Sequence, residues 1–170
     1  MLESLATLAA ASPTAELAKA AEAYRDMHEV AGPLFEVIVA REPSNARALV
    51  GLANAFWLTG RGPDVVGELS SRALAADPGN RAAWHLWALS APSPRGRVQR
   101  WGQVVARFAD DQLALANLAD NAASLAGAED DPVALKVAID TYESLLKSAE
   151  HPEQRTAVQK ALDALRAPSS

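Results

Sequence analysis

Pro43-Ser44-Asn45-Ala46-Arg47-Ala48-Leu49 returns as Pro78-Gly79-Asn80-Arg81-Ala82-Ala83-Trp84, and more faintly as Ala109-Asp110-Asp111-Gln112-Leu113-Ala114-Leu115. Each stretch is a stop followed by a start. The proline ring blocks helical continuation and pushes the residue before it out of the α region. Two residues on, an Asn or Asp side chain accepts a bond from a free backbone N–H and caps the next helix. The copies are spaced by roughly 35 and then roughly 31 residues. A period in the thirties marks stacked helix pairs, so the expected fold is all-α: an antiparallel helix-pair solenoid with about three to four pairs and a C-terminal capping helix.

The residues between the copies support that reading. In 45–77, Leu49, Leu52, Ala53 and Phe56 fall on one helical face. Gly60-Arg61-Gly62-Pro63 turns the chain, and Val65, Val66, Leu69, Ala73 and Leu74 form a second stripe. In 80–108 the inward set is Trp84, Trp87, Ala88 and Ala91, then a Pro92-Ser93-Pro94 break, then Val98, Trp101, Val104, Val105 and Phe108. In 111–148 it is Leu115, Leu118, Ala119 and Ala122, a longer turn over Gly127–Pro132, then Val133, Val137, Ala138, Thr141, Tyr142 and Leu145. Residues 14–42 read as a degenerate first pair, with Leu17, Ala20, Ala21 and Tyr24 on one face. Gly32-Pro33 breaks the pattern before a short helix with Phe35, Ile38 and Val39. Residues 152–166 form the closing amphipathic helix, with Val158, Ala161, Leu162 and Leu165 apolar, and 167–170 a disordered tail. Insertions are expected in the turns.

Composition narrows the function. Hydrophobic residues make up 49% of the 170-residue chain, ample for a core, and the formal net charge of −5 disfavours nucleic acid as a partner. There is no cysteine, which removes disulfides, thiolate metal sites and a cysteine nucleophile together. No apolar run approaches the roughly 18–20 residues that span a bilayer. Met1–Ala11 is apolar but carries Glu3 where a signal peptide has Lys or Arg, and reads as a helix or frayed end. The expected compartment is the cytoplasm, with the periplasm as the alternative for an excised or processed domain.

Catalytic and ligand-binding patterns are weak. His28, His85 and His151 stand far apart, outside any metal-ligand spacing. Gly60, Gly62 and Gly67 lack the Gly-Lys-Ser/Thr ending and the preceding strand of a phosphate loop. Glu129-Asp130-Asp131 lacks the alternating oxygen ligands of a calcium loop and suits the start of a helix at Pro132. No enzyme, cofactor or metal is expected. Arg95, Arg97, Arg100 and Arg107 form the most one-sided charge cluster. It is either a solvated helix face or a docking patch for an acidic partner or phosphate.

The units resemble the tetratricopeptide repeat (TPR), a helix–turn–helix family with a repeat of about 34 residues. A unit begun at Ala46 supplies Leu49, Leu52, Ala53 and Phe56 in its first half and Ala73 and Pro78 at its end. Val66 and Ser70 depart from the small and aromatic residues the family carries there. The next unit supplies Trp84, Trp87, Ala88 and Trp101, with Ala91 in place of an aromatic. The third supplies Leu115, Leu118, Ala119, Ala138 and Tyr142 after an insertion of about seven residues. The resemblance covers 14–148 and implies a partner held on the concave face by the first helix of each pair.

Carried over position by position, the resemblance names Arg47, Val50, Asn54, Trp57 and Leu58 on the first unit, His85 and Leu89 on the second, and Asp120 with Asn117 beside it on the third. Leu113 and Ala116 also fall there. Phe56 fills the core position, so Trp57 faces either the groove or the preceding helix pair. The carboxylate clamp of one TPR subgroup is incomplete. Asn54 fits, but Val50, Leu86, Leu113 and Asn117 occupy its other positions. The expected function is therefore a non-catalytic scaffold that binds a protein or peptide of unknown identity in its groove. The alternatives are an assembly subunit that forms a homo-oligomer or packs in a larger complex, and a periplasmic apocytochrome-binding domain like those of cytochrome c maturation factors.

Overall fold

A computed structural model describes residues 11–167. Met1–Ala10, within the expected N-terminal helix or frayed end, and 168–170 of the expected tail lie outside the described residues. The described residues form helices and turns, without strand. The helices are α1 (Thr14–Ala23), α2 (His28–Arg41), α3 (Ala46–Leu58), α4 (Pro63–Ala76), α5 (Arg81–Leu89), α6 (Pro94–Arg107), α7 (Gln112–Glu129), α8 (Pro132–Ser148) and α9 (Pro152–Arg166). They fall into two compact units, one ending at Ser90 and the other starting at Ala91, a division inside the 80–108 segment.

The repeated phrase has one structure in all three copies. Asn45, Asn80 and Asp111 cap α3, α5 and α7, accepting from the N–H of Ala48, Ala83 and Ala114 at 3.0, 3.1 and 3.0 Å. The backbone N–H of each cap donates to the carbonyl three residues back, on Glu42, Asp77 and Phe108. Those three residues share closely similar backbone angles, with φ/ψ of −128/76, −141/90 and −129/75. Ala109 follows Phe108 where Pro43 and Pro78 stand in the other copies. The turn thus forms without proline, and the cap is its common element.

In the first unit, successive helices from α1 to α5 touch in order, and α3 also reaches α5. Short turns make such neighbours antiparallel. The core runs through Leu17, Ala21, Phe35, Ile38, Leu49, Leu52, Ala53, Val66, Leu69, Ala73 and Leu86. Gly60 and Gly62, at φ 74 and 97, make the α3–α4 turn in a region that L side chains rarely adopt. Ala53 has no solvent exposure, at the contact between helices that its small size permits. Ala53→Leu is expected to overpack this core and cost about 1–3 kcal/mol. A thermal melt no lower than wild type would contradict this packing.

The second unit stacks α6 on α7, α7 on α8, and α8 on α9. Leu115, Ala119, Tyr142, Leu145 and Leu162 form its larger core, and Leu125, Ala126 and Ala134 a smaller one with Val98 and Leu135.

Several local expectations are corrected, among them Val65 and Val133, expected on inward stripes but 41% and 71% exposed. Gly32-Pro33 does not break a helix, because α2 runs through it from His28. The break lies instead at Tyr24–Met27, and Tyr24, expected on the inward stripe, is half exposed beside it. The Gly127–Pro132 turn shrinks, since α7 continues to Glu129 and only Asp130 adopts the left-handed conformation, at φ 50 and ψ 40. The insertion in this third pair therefore lengthens helices, to 18 and 17 residues against 13 and 14 in α3 and α4. In α5 the buried residues are Ala83, Leu86 and Ala88. Trp84 and Trp87 are half-buried and meet edge to face at 5.4 Å, and the Trp84 indole N–H donates to the Pro78 carbonyl at 3.0 Å.

Candidate functional site

The outer face of α3 is set by the burial of its inner one. Ala48, Leu49, Leu52, Ala53 and Ala55 point into the core. At 100° per residue, Arg47, Val50, Asn54, Trp57 and Leu58 then share the other side. Arg47 and Asn54 are exposed, Trp57 is 38% and Leu58 54% exposed, and Val50 is half-buried against the core. Five of the nine expected groove residues thus stand on one helix face, ending in two exposed large apolar side chains.

A cleft of about 410 Å³ opens beside this face. Ala18, Phe35, Ile38 and Ala48 give it apolar walls from α1, α2 and α3, and Lys19, Glu22, Asn45 and Arg47 give it a polar rim. Arg47 Nε donates to Glu22 Oε1 at 2.8 Å and joins α3 to α1 across the rim. That hydrogen bond, offset in part by burial, holds the Glu22 carboxyl below the usual carboxylate range. Arg47 is largely exposed and Glu22 partly so, and the pair orients the rim more than it stabilises the fold. A partner carboxylate or carbonyl can compete for the same guanidinium.

The remaining expected residues are placed as follows. His85 and Leu89 are half-buried on α5, in the first unit. Asn117 and Asp120 lie on α7, in the second unit. Asn117 Nδ2 donates to the Leu113 carbonyl at 2.8 Å. Asp120 accepts from the Tyr142 hydroxyl at 2.6 Å, and burial together with that carboxylate pushes the phenol well up. Asp120 therefore anchors α8 on α7.

Two arginines of the cluster, Arg95 and Arg97, tie α6 to the helix α7 and the turn after it. Arg95 donates to Asp131 at 2.8 Å and to Glu129 at 2.6 Å, and Arg97 donates to Asn121 at 3.2 Å. The Arg107 guanidinium lies 5.7 Å from the centre of the Phe108 ring, and Arg100 also has a partner. Asp131 in turn caps α8, accepting from the N–H of Val133 and Ala134 at 2.9 and 3.1 Å. The backbone bond from Ala134 and then Arg95 hold its carboxyl below the usual range. A depressed folded-state pKa gives stability that is present above the unfolded value and lost as pH falls through the folded one. Protection factors of the amides at the start of α8, relative to the intrinsic exchange rate at each pH, are therefore expected to fall below about pH 4. Asp131→Asn should blunt that acid response, and an unchanged profile would contradict the assignment.

The Glu22–Arg47 and Arg95–Glu129–Asp131 bridges carry no signal at helical spacing, because their partners meet through tertiary packing.

Capped helix pairs, α3 on α5 as well as α4, and small residues at the helix contacts define an all-α helix-pair repeat fold of the TPR-like kind. The crystal structure of MamA protein is similar, with a TM-score of 0.61 over 89% of each chain at 14% sequence identity. A second crystal structure of MamA is similar at a TM-score of 0.58, over 85% of this chain and 91% of that one, again at 14% identity. The likeness is one of fold. No family model matches the sequence, and no curated protein matches it in sequence. Among the described residues, no helix is long and apolar enough to cross a membrane, and no three His, Asp or Glu side chains cluster as metal ligands.

Proposed function

We propose that the chain is a divergent TPR domain acting as a non-catalytic interaction scaffold, which holds an extended segment of a partner protein along the outer face of α3. The observation that carries this reading is the outward face of α3, where exposed Trp57 and Leu58 share a helix face with Arg47, the residue that rims the apolar-walled cleft. Apolar and aromatic side chains supply the affinity, since exposed Trp is the residue type most often found as a binding hot spot. Arg47 and Asn54 supply polar selectivity. His85 and Leu89 on α5 extend the surface within the first unit, and Asn117 and Asp120 are proposed as partner contacts of the second unit by itself.

The test is quantitative affinity capture from an extract of the source cells. Trp57→Ala is expected to leave folding within about 1 kcal/mol of wild type, as for other surface substitutions. It should reduce captured partner at least tenfold, roughly the effect of losing a hot spot. Undiminished capture by a folded variant would defeat the groove, and a variant that unfolds would give Trp57 a core role.

Self-assembly is the second reading, favoured by Leu113 and Val133 on the second unit, at 58% and 71% exposure. A monomer mass by light scattering at high concentration would remove it.

A further inference from the structure

We infer that the first unit has a second docking site, between the start of α2 and the end of α3, for a partner segment carrying Lys or Arg beside an apolar residue. The cavity there holds about 550 Å³. It lies away from the Arg47 face, because Phe56 is turned about 180° from Arg47 around α3. Val30, Gly32, Pro33, Ala55 and Phe56 make an apolar lining.

The polar groups around that lining are mostly acceptors. Glu29 and Glu36 sit seven residues apart on one face of α2 and both line the cavity. Among the described residues neither makes an ion pair, whereas Glu22, Glu129 and Glu143 each engage an arginine. Pro33 has no N–H to give to the Glu29 carbonyl four residues back, which leaves that oxygen's helical bond unmade. His28 Nδ1 is buried with no hydrogen-bond partner among the described residues. The cavity's own cation, Arg61, is drawn over the Phe56 ring, 5.1 Å from its centre.

Unpaired carboxylates and unused acceptors above an apolar lining match a side chain with several N–H donors and a positive charge. Tyr24 and Met27, 50% and 56% exposed on the chain just before His28, offer apolar contact for the neighbouring residue of such a segment. A bare metal ion suits the site poorly, because two carboxylates on an apolar lining do not complete a coordination sphere.

The experiment is an amide-resonance titration of the full chain with the capped tripeptide acetyl-Leu-Arg-Leu-amide. Saturable shifts are expected in residues 28–36 and 55–61. Binding should weaken at least tenfold for the Leu-Gln-Leu peptide, and at least tenfold for the folded double variant Glu29→Gln, Glu36→Gln. Trp57→Ala should leave it unchanged, which separates this site from the α3 groove. The proposal is overturned by equal binding of the glutamine peptide, by full affinity in the double variant, or by no saturable shift up to about 5 mM, beyond the millimolar limit of weak recognition. Spermidine that shifts the same residues as tightly as the peptide would also overturn it, as a site for free polyamines.

Discussion

Alanine at Gly51 is expected to destabilise the first unit by about 1–3 kcal/mol, although alanine ordinarily stabilises a helix by about 1 kcal/mol over glycine. The reason is the Phe35 ring. A Cβ built on Gly51 would meet Phe35 Cε1 at 2.7 Å and Cζ closer still. Phe35 is only 6% exposed and packed in the core, so its ring cannot swing away cheaply. Equilibrium unfolding in urea measures the loss. Phe35→Leu removes the colliding ring atoms, and in that background Gly51→Ala should become neutral or stabilising. This change of sign is a coupling that only contacting residues show. Alanine at Gly51 that raises stability in the wild-type background would contradict the packing of α2 on α3, and with it the floor of the α3 cleft.

Leu162→Ala is expected to cost about 2–5 kcal/mol, the range for a fully buried leucine, and to release α9. Leu162 is the single buried residue of α9, at 1% exposure, and it enters the cluster of Leu115, Tyr142 and Leu145. Val158, Ala161 and Leu165 pack half-buried around it, and the polar ties are peripheral: Arg155 donates to the Leu146 and Ala149 carbonyls, and Arg166 pairs with Glu143. Exposed charge pairs of this kind contribute little. Hydrogen exchange should therefore show α9 losing protection ahead of α8. Unchanged protection across Pro152–Arg166 would show that α9 is held by something other than this leucine, against its role as the closing helix.

The caps and stops were legible because their physics is local. Asn45, Asn80 and Asp111 bond to N–H groups three residues on, so the sequence displays both ends of the interaction. Long helices and closely spaced apolar stripes were legible for the same reason. Pro33 misled because burial outweighed it: Ala31, Leu34, Phe35, Ile38 and Val39 all enter the core, which exceeds one missing backbone bond. Gly127 misled likewise, since Leu125 and Ala126 are buried just before it and carry the helix onward. Trp84 misled because its size suggested core while its indole N–H needed a partner, which it finds at the Pro78 carbonyl near the surface. The α3 face of the candidate site followed from helical spacing. Its cleft did not, because Ala18, Glu22 and Phe35 reach Arg47 and Ala48 only through the packing of three helices.

The central claim is that the outer face of α3 is where this scaffold holds its partner. The most direct test places a photo-crosslinking residue at exposed Asn54, and, as a control, at exposed Glu68 on α4. Both variants are irradiated in extract of the source cells. The account predicts a discrete crosslinked protein at position 54, lost when Trp57→Ala is added, and none at position 68. Equal crosslinking at both positions, or a position-54 product indifferent to Trp57, would contradict it.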